Sequence, residues 1–587
     1  MGTSLKGKSR QWSNTNRFRQ GKGENKSMPT LDWIGKKAVL NHHNEVPFHL
    51  LKEAPDLSVG ESGNGNLLVE GDNLLVLKAL LPYYAGKVKC IYIDPPYNTG
   101  NEGWIYNDNV NSPEIRKWLG KVVGGELEDL SRHDKWLCMM YPRLQLAKLF
   151  LASDGVIFVS IDDTELPFLR TLLDELFPHP QAKNRIACFV WQTEGNFDNQ
   201  AKIKNCHEYI LAYSRRFEEF PPPPVIDPTI PKNSKLYKAE IRNTIVKNGP
   251  KNPVSGIRLT RDFPASFEKG LINARSNKWP HYEIDLIVEN YRLQNEAVAL
   301  SGWSSKDICE EFIRNQFQPV RDSKGQVTTF ELTKTGAIEC VKKRDTSQSH
   351  VITVIREVGS TQQASQQLAE IGIKFDYPKP VGLISYLISM VRDKSALVLD
   401  FFAGSGTTGQ AVLESNDRDN GNRHFILVEL EPEITREIIV KRLQKICNGY
   451  EKPDGTRIDG LGGGFRYCKL GEACFDEVGR INLEVTFWDL ARHVFFTETG
   501  EPLTKQAKTN NPLIGVYKET AVYLLYNGIL KDRQPNGGNV LTQAVLDELP
   551  KHDGSKVIYG TACRFSPARL KRENIIFKQI PYEIRVR

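Results

Sequence analysis

The chain has 587 residues, 40% apolar and 25% charged, with a net charge of +7, which suits about three to five packed domains of roughly 100–200 residues. No apolar run reaches the ~20 residues of a membrane helix, no signal peptide is present, and Lys6 stands where a myristoylation motif wants Ser or Thr. Ten scattered cysteines without a Cys-x-x-Cys pair argue against a zinc site and read as reduced core thiols of a cytoplasmic protein, with no metal and no membrane partner expected.

Residues 1–30 carry Lys6, Lys8, Arg10, Arg17, Arg19, Lys22 and Lys26 among polar residues, and read as a disordered basic tail. The mild positive charge fits a polyanionic partner. From Asn66 the texture is α/β. Leu67–Val69 reads as a strand, Asn73 to Leu81 as a helix, and Val88–Ile93 as a strand buried on both faces. A helix is expected from His133 to Ala152, ended by Asp154-Gly155, before a strand at Val156–Ile161. Ala187–Gln192 and Glu208–Tyr213 are strand-like. Pro221–Pro224 mark a junction, and a polar, poorly periodic region runs to Lys374. The α/β pattern then resumes with a helix at Pro380–Arg392, strands at Ala396–Leu399 and Phe425–Val428, and a helix from Pro432 to Cys447. An α+β region fills about 470–587.

Two constellations carry chemistry. The strand Ala396–Leu399 runs into Asp400-Phe401-Phe402-Ala403-Gly404-Ser405-Gly406-Thr407-Thr408-Gly409, a G-x-G-x-x-G between strand and helix, with Glu429 twenty positions after Gly409. Such glycines admit close backbone approach to a nucleotide, and the later carboxylate can accept from two ribose hydroxyls. Asp400 would repel a pyrophosphate. It suits a cationic ligand instead, such as the ammonium- and sulfonium-bearing end of S-adenosylmethionine.

The strand Val88–Ile93 ends in Asp94-Pro95-Pro96-Tyr97. Two prolines remove two N–H donors and stiffen the corner. What remains are acceptors, the Asp94 carboxylate and the Pro95 carbonyl, followed by the aromatic ring of Tyr97. An exocyclic amino group on a base has two N–H donors and two flat faces, and this corner can take both donors while Tyr97 stacks. A base in a duplex must be flipped out to reach it.

Together these residues resemble the β-class amino-methyltransferases of restriction–modification systems. Asp94-Pro95-Pro96-Tyr97 resembles their catalytic motif, and Asp400 to Thr408 their cofactor loop, usually D-P-F-x-G-S-G-T-T, with Phe401 in place of the proline. Asn98-Thr99-Gly100 and Gly462-Gly463-Gly464-Phe465-Arg466-Tyr467 look most like the modification subunits of type III systems. Gly155–Asp163 and His207–Tyr213 resemble later motifs of the catalytic half.

The resemblance implies an α/β fold, a Rossmann-like S-adenosylmethionine-dependent methyltransferase sheet in circularly permuted motif order. Residues 31–220 would form the catalytic half, 221–374 an inserted target-recognition domain, 375–469 the cofactor-binding half, and 470–587 a C-terminal α+β domain. Asp94, Pro95, Pro96 and Tyr97 would act on the base. Asp72, Lys379, Asp400, Phe402, Gly404, Gly406, Thr407, Thr408 and Glu429 would hold the cofactor, Asp72 near its adenine and Lys379 near its methionine carboxylate.

Double-stranded DNA, a restriction/helicase subunit and a second copy of the chain are the expected partners. The expected reaction is methyl transfer to N6 of adenine, with N4 of cytosine as the alternative. An NAD-linked oxidoreductase would leave the Asp94 tetrapeptide unexplained. A DNA-binding module without activity would not need it, and RNA or protein methylation is separated only by assay. Arg258, Arg261 and Lys269 are candidates for base reading by composition alone.

Overall fold

The computed structural model describes residues 30–60, 65–98, 131–181, 183–193, 202–234, 237–238, 240–322, 325–343, 349–475, 482, 484–501, 503, 511–526 and 539–580. The basic tail, Thr99 and Gly100 fall outside these residues.

One ten-stranded sheet organises the chain. Its strands are β1 His49–Glu53, β2 Leu67–Glu70, β3 Val88–Ile93, β4 Leu151–Ile161, β5 Arg185–Gln192, β6 His207–Ser214, β7 Val354–Ile355, β8 Leu397–Asp400, β9 His424–Glu429 and β10 Arg466–Ala473. They lie in the order β1-β10-β2-β9-β8-β3-β4-β6-β5-β7. β10, β2, β9, β8, β3 and β4 are mutually parallel. β6 runs against β4 and β5, and β1 against β10.

Helices cover both faces, which is why the middles of β3, β8 and β9 are apolar runs, Cys90–Ile93, Leu397–Leu399 and Phe425–Val428. Alternate residues divide between two cores. Ile91, Ile93, Ile157, Val159 and Leu399 face one, with helices α1 Asn73–Tyr84, α2 Arg132–Phe150 and α3 Leu166–Leu176. Cys90, Tyr92, Val156, Phe158 and Val398 face the other, with α4 Val381–Ser389, α5 Thr407–Asp419 and α6 Lys441–Asn448. Pairing β8 with β3 puts the ends of two sequence-distant strands side by side.

Several boundaries differ from the sequence reading. α2 ends at Phe150, and Asp154-Gly155 lies inside β4 rather than between elements. Val88 faces Leu151 and Cys90 faces Val156, so residues 152–155 bulge out of the ladder. A Cβ on Gly155 would meet the Val88 carbonyl oxygen at 2.8 Å, so only glycine fits there. The helix expected from Pro432 divides into a π-helical segment Ile434–Val440 and α6. Residues 354–374, grouped with the insertion for their polarity, include β7, which pairs with Val190 and Trp191 of β5. They also include a helix at Thr361–Glu370 closed by a Ser360–Gln363 capping box.

Short antiparallel strands between Glu240 and Lys343 build the insertion around its own core of Ile257, Leu259, Leu286, Phe312 and Phe330. Its ends meet where the Asp227 amide donates to the His350 carbonyl at 2.8 Å. The C-terminal region is less separate than its composition suggested. Leu490 and Val494 of helix α7 Phe487–Thr499, with Val522 and Leu524 of the strand Thr520–Leu524, join the core under α1 and α2.

Among the described residues no helix is long and apolar enough to cross a membrane. No group of His, Cys, Asp or Glu side chains among them could hold a metal ion. All ten cysteines are free.

Candidate active site at the carboxyl edge of the parallel strands

Asp94 follows β3, Asp400 ends β8, Glu429 ends β9 and Glu70 ends β2. These carboxylates therefore share one edge of the sheet, the edge where open α/β sheets bind ligands.

The glycine loop after β8 turns on Gly404 and Gly406, at φ 53° and 77°. Gly406 precedes the first residue of α5. A Cβ there would lie 2.8 Å from Ile439 Cγ2, and one on Gly409 would lie 2.9 Å from Leu443 Cδ2. Two of the three glycines thus serve close packing against the π-helical segment and α6. The Gly404 amide donates to Glu429 Oε2 at 2.9 Å, and the other oxygen of Glu429 accepts from the Leu430 and Glu431 amides at 2.9 and 3.2 Å.

Asp400 is buried. It accepts from the Phe402 amide at 3.1 Å and from Thr408 Oγ1 at 2.6 Å. Burial raises its carboxyl to about 7 against these two hydrogen bonds, and the charges of Asp94 and Glu429 add to the rise. A cation brought to this oxygen pair would favour the ionised form, so the donor set fits the charged end of S-adenosylmethionine. Phe401, the departure from the usual proline, is fully buried in the core, while Phe402 is half-buried.

Beneath the loop, Arg442 was not singled out by sequence. Its Nη1 donates to the Ser405 carbonyl at 3.0 Å, Ser405 Oγ at 2.9 Å and Thr407 Oγ1 at 3.0 Å. Its Nε donates to Gln410 at 2.7 Å. Burial lowers its pKa to about 10, which leaves it charged near neutrality.

Asp94 and Tyr97 lie beside Lys379, brought in just before α4. Lys379 Nζ is 2.8 Å from Asp94 Oδ2, and Tyr97 donates to Asp94 Oδ1 at 2.9 Å. The Lys379 side chain, expected on the cofactor's carboxylate, therefore reaches the Asp94 corner. Only its backbone meets the cofactor loop, through Thr407 Oγ1 on the Lys379 carbonyl at 3.2 Å. Trp136 Nε1 clamps the Pro96 carbonyl at 2.7 Å. Asn98 Nδ2, just past the corner, donates to buried Glu165, which His133 also contacts at 2.7 Å.

Asp72 precedes α1. One oxygen caps α1, accepting from the Leu74 and Leu75 amides at 2.9 and 3.1 Å, and the other pairs with Arg143 at 3.2 Å. Its neighbour Asn73 donates to the Phe401 carbonyl at 2.9 Å, which ties α1 to the cofactor loop. In the insertion, Arg258 pairs with Glu296 at 2.6 Å and Lys269 with Glu289 at 3.0 Å, all four exposed at the surface.

Residues 88–441 match a family model described as DNA methylase, of the N6/N4 type. The Mod subunit of the type III restriction–modification enzyme EcoPI, from Escherichia phage P1, is 30% identical over 506 residues, covering 80% of this chain and 74% of that protein. The EcoP15I Mod subunit of Escherichia coli is 30% identical over 437 residues, covering 68% of this chain and 64% of its own length. Among solved structures, M1.HpyAVI complexed with SAM aligns with 64% of this chain and 99% of its own, at 12% identity and a TM-score of 0.28.

Proposed function

The chain belongs to the DNA methylase family and is an S-adenosylmethionine-dependent DNA methyltransferase of the type III restriction–modification kind, and from that premise we propose that it methylates N6 of an adenine flipped out of the duplex. The observation that carries this reading is the double role of Lys379: its carbonyl accepts from Thr407 of the glycine loop, and its ammonium holds Asp94. Loop and acceptor corner are thereby fixed to one residue. Asp in the first position of the tetrapeptide favours adenine over N4 of cytosine.

In this reading the sheet is a Rossmann-like methyltransferase sheet in permuted order, with the acceptor strand β3 early in the chain and the cofactor strand β8 late. Asp400, Phe402, Gly404, Gly406, Thr407, Thr408 and Glu429 form the cofactor pocket. Asp72 contributes by fixing the start of α1. The short-stranded insertion reads the DNA sequence.

Bound S-adenosylmethionine supplies a methyl group already activated on a sulfonium. The protein supplies position and charge. The Asp94 carboxylate and the Pro95 carbonyl accept the two amino N–H groups, and this draws the nitrogen lone pair out of the ring. The amino nitrogen gains positive charge as it takes the methyl group. Asp94 stabilises that charge and is the adjacent acceptor for the departing proton. A restriction/helicase subunit is the proposed partner, because the relatives are named as Mod subunits of restriction–modification enzymes. A homodimer is the proposed assembly.

The purified chain, given S-adenosylmethionine and specific duplex, is expected to methylate with neither ATP nor a divalent metal, and mapping is expected to place the mark on adenine N6. Methylation only with ATP, or a mark on cytosine, would overturn the reading. Mispairing the target adenine lowers the energy needed to extrude it by a few kcal/mol at most. Binding to such a duplex is expected to tighten, and affinity indifferent to every mismatch would argue against flipping.

A further inference from the structure

Tyr97 has one hydroxyl proton and two carboxylates within reach. Its hydroxyl lies 2.9 Å from Asp94 Oδ1 and 2.9 Å from Glu208 Oε2. Lys379 Nζ lies 2.8 Å from Asp94 Oδ2, 3.4 Å from Glu208 Oε2 and 4.9 Å from the centre of the Tyr97 ring. Glu208 comes from β6, with β4 between it and β3, so nothing local to the tetrapeptide calls for it. Burial and the charges of Asp94 and Glu208 push the Tyr97 phenol well above its ordinary value, so the proton stays on the oxygen. Burial alone would lower Lys379, but the same two carboxylates outweigh it and keep the ammonium charged. The cluster is therefore two carboxylates, one ammonium and one neutral phenol.

We propose that Glu208 is a positioning residue that takes over the Tyr97 hydroxyl when the target amino group claims Asp94. This rests on reading Asp94 as the acceptor of that amino group. Without DNA, the hydroxyl can donate to either carboxylate, and while it is on Asp94 Oδ1 it competes with the incoming N–H. Glu208 stands at the same distance on the other side, so a turn of the O–H bond alone releases Asp94. The ring keeps its place for stacking. Lys379 remains on Asp94 Oδ2, and no covalent bond changes. Were Glu208 absent, base binding would leave a buried hydroxyl without an acceptor or make it share Asp94 Oδ1 with the amino N–H, which weakens the bond that orients the base.

The test uses the full chain with a leucine at Glu208, alone and combined with Tyr97→Phe. Glu208→Leu is expected to reduce kcat about ten- to hundredfold. Its affinity for S-adenosylmethionine in calorimetry should stay within about twofold, since the polar partners of Glu208 are Tyr97 and Lys379 rather than residues of the glycine loop. Removing the competing hydroxyl should then restore most of the lost turnover, so the double variant should be faster than Glu208→Leu alone. A double variant as slow or slower would overturn the proposal, and so would a Glu208→Leu enzyme with unchanged kcat. Loss of cofactor binding in Glu208→Leu would overturn it too, because Glu208 would then be scaffolding for the pocket. Asp94→Ala, assayed in parallel, separates this failure from that of the acceptor reading, which falls only if that variant still turns over.

Discussion

Asp94→Ala is expected to lower methyl transfer by about 10²–10³-fold or more, the range seen when a charge-stabilising group is removed from a reacting centre. The variant loses an acceptor for the amino N–H and the negative charge beside a nitrogen that becomes positive. It also leaves Lys379, which is largely buried, with Glu208 at 3.4 Å as its remaining carboxylate. Lys379 and Tyr97 will therefore shift, which adds to the loss. Cofactor affinity should change little, because Asp400 and the glycine loop are held by Thr408, Glu429 and Arg442 rather than by Asp94. Single-turnover methylation and calorimetry on one preparation separate the two effects. Turnover near that of the unmodified enzyme would remove Asp94 from the chemistry.

Removing the carboxylate partner of the cofactor's cationic end should act on binding instead. Asp400→Ala is expected to weaken S-adenosylmethionine by about ten- to hundredfold, the worth of one charge-assisted hydrogen bond. Gly406→Val should weaken it through geometry. A β-branched residue at φ 77° is strained, and its Cβ would press on Ile439 at 2.8 Å. Unchanged affinity in both variants would move the cofactor site elsewhere.

Asp400 also gives this site a pH dependence with a defined sign. Its carboxyl is raised to about 7 in the folded chain, mainly by burial. Below that pH it is protonated and must lose its proton to meet a cation. Affinity for S-adenosylmethionine should therefore rise up to about pH 7 and level off above it. Its contribution to folding runs the other way. The folded state holds this proton more tightly than the unfolded chain, so stability from Asp400 is present at acid pH and is lost as pH rises from the ordinary carboxylate range to about 7. Calorimetric affinity that is flat from pH 5.5 to about 8 in the unmodified enzyme would exclude Asp400 as the group that meets the cation.

Most of the main sheet was legible because its strands are short apolar runs bounded by turn residues. Val88–Ile93 was read to the residue. The insertion was not legible, because its strands are two to six residues long and several alternate one buried with one exposed residue, as in Leu286–Glu289. Runs that short give periodicity nothing to count. The extra residues in β4 were hidden for another reason: a bulge is defined by the register of the partner strand, and Asp154-Gly155 by itself looks like a turn.

At the site, groups bound to their neighbours could be named from residue order. The Asp94-Pro95-Pro96-Tyr97 corner and the glycine loop are local, since prolines and glycines constrain their own backbone wherever they stand. Asp72, expected near the cofactor's adenine, also caps the helix that follows it. Its position before Asn73 already carried that signal, because Asp is among the preferred N-caps. Glu208 and Arg442 could not be assigned in this way. Glu208 sat inside a recognised motif, yet its partners come from the corner after β3 and from the turn before α4. Arg442 looked like one more cation on an amphipathic helix until that helix packed beneath Ser405 and Thr407. Backbone constraint is a property of a few consecutive residues and survives in the bare sequence. Which charges neutralise one another depends on strand order across the sheet, and only the folded chain sets that.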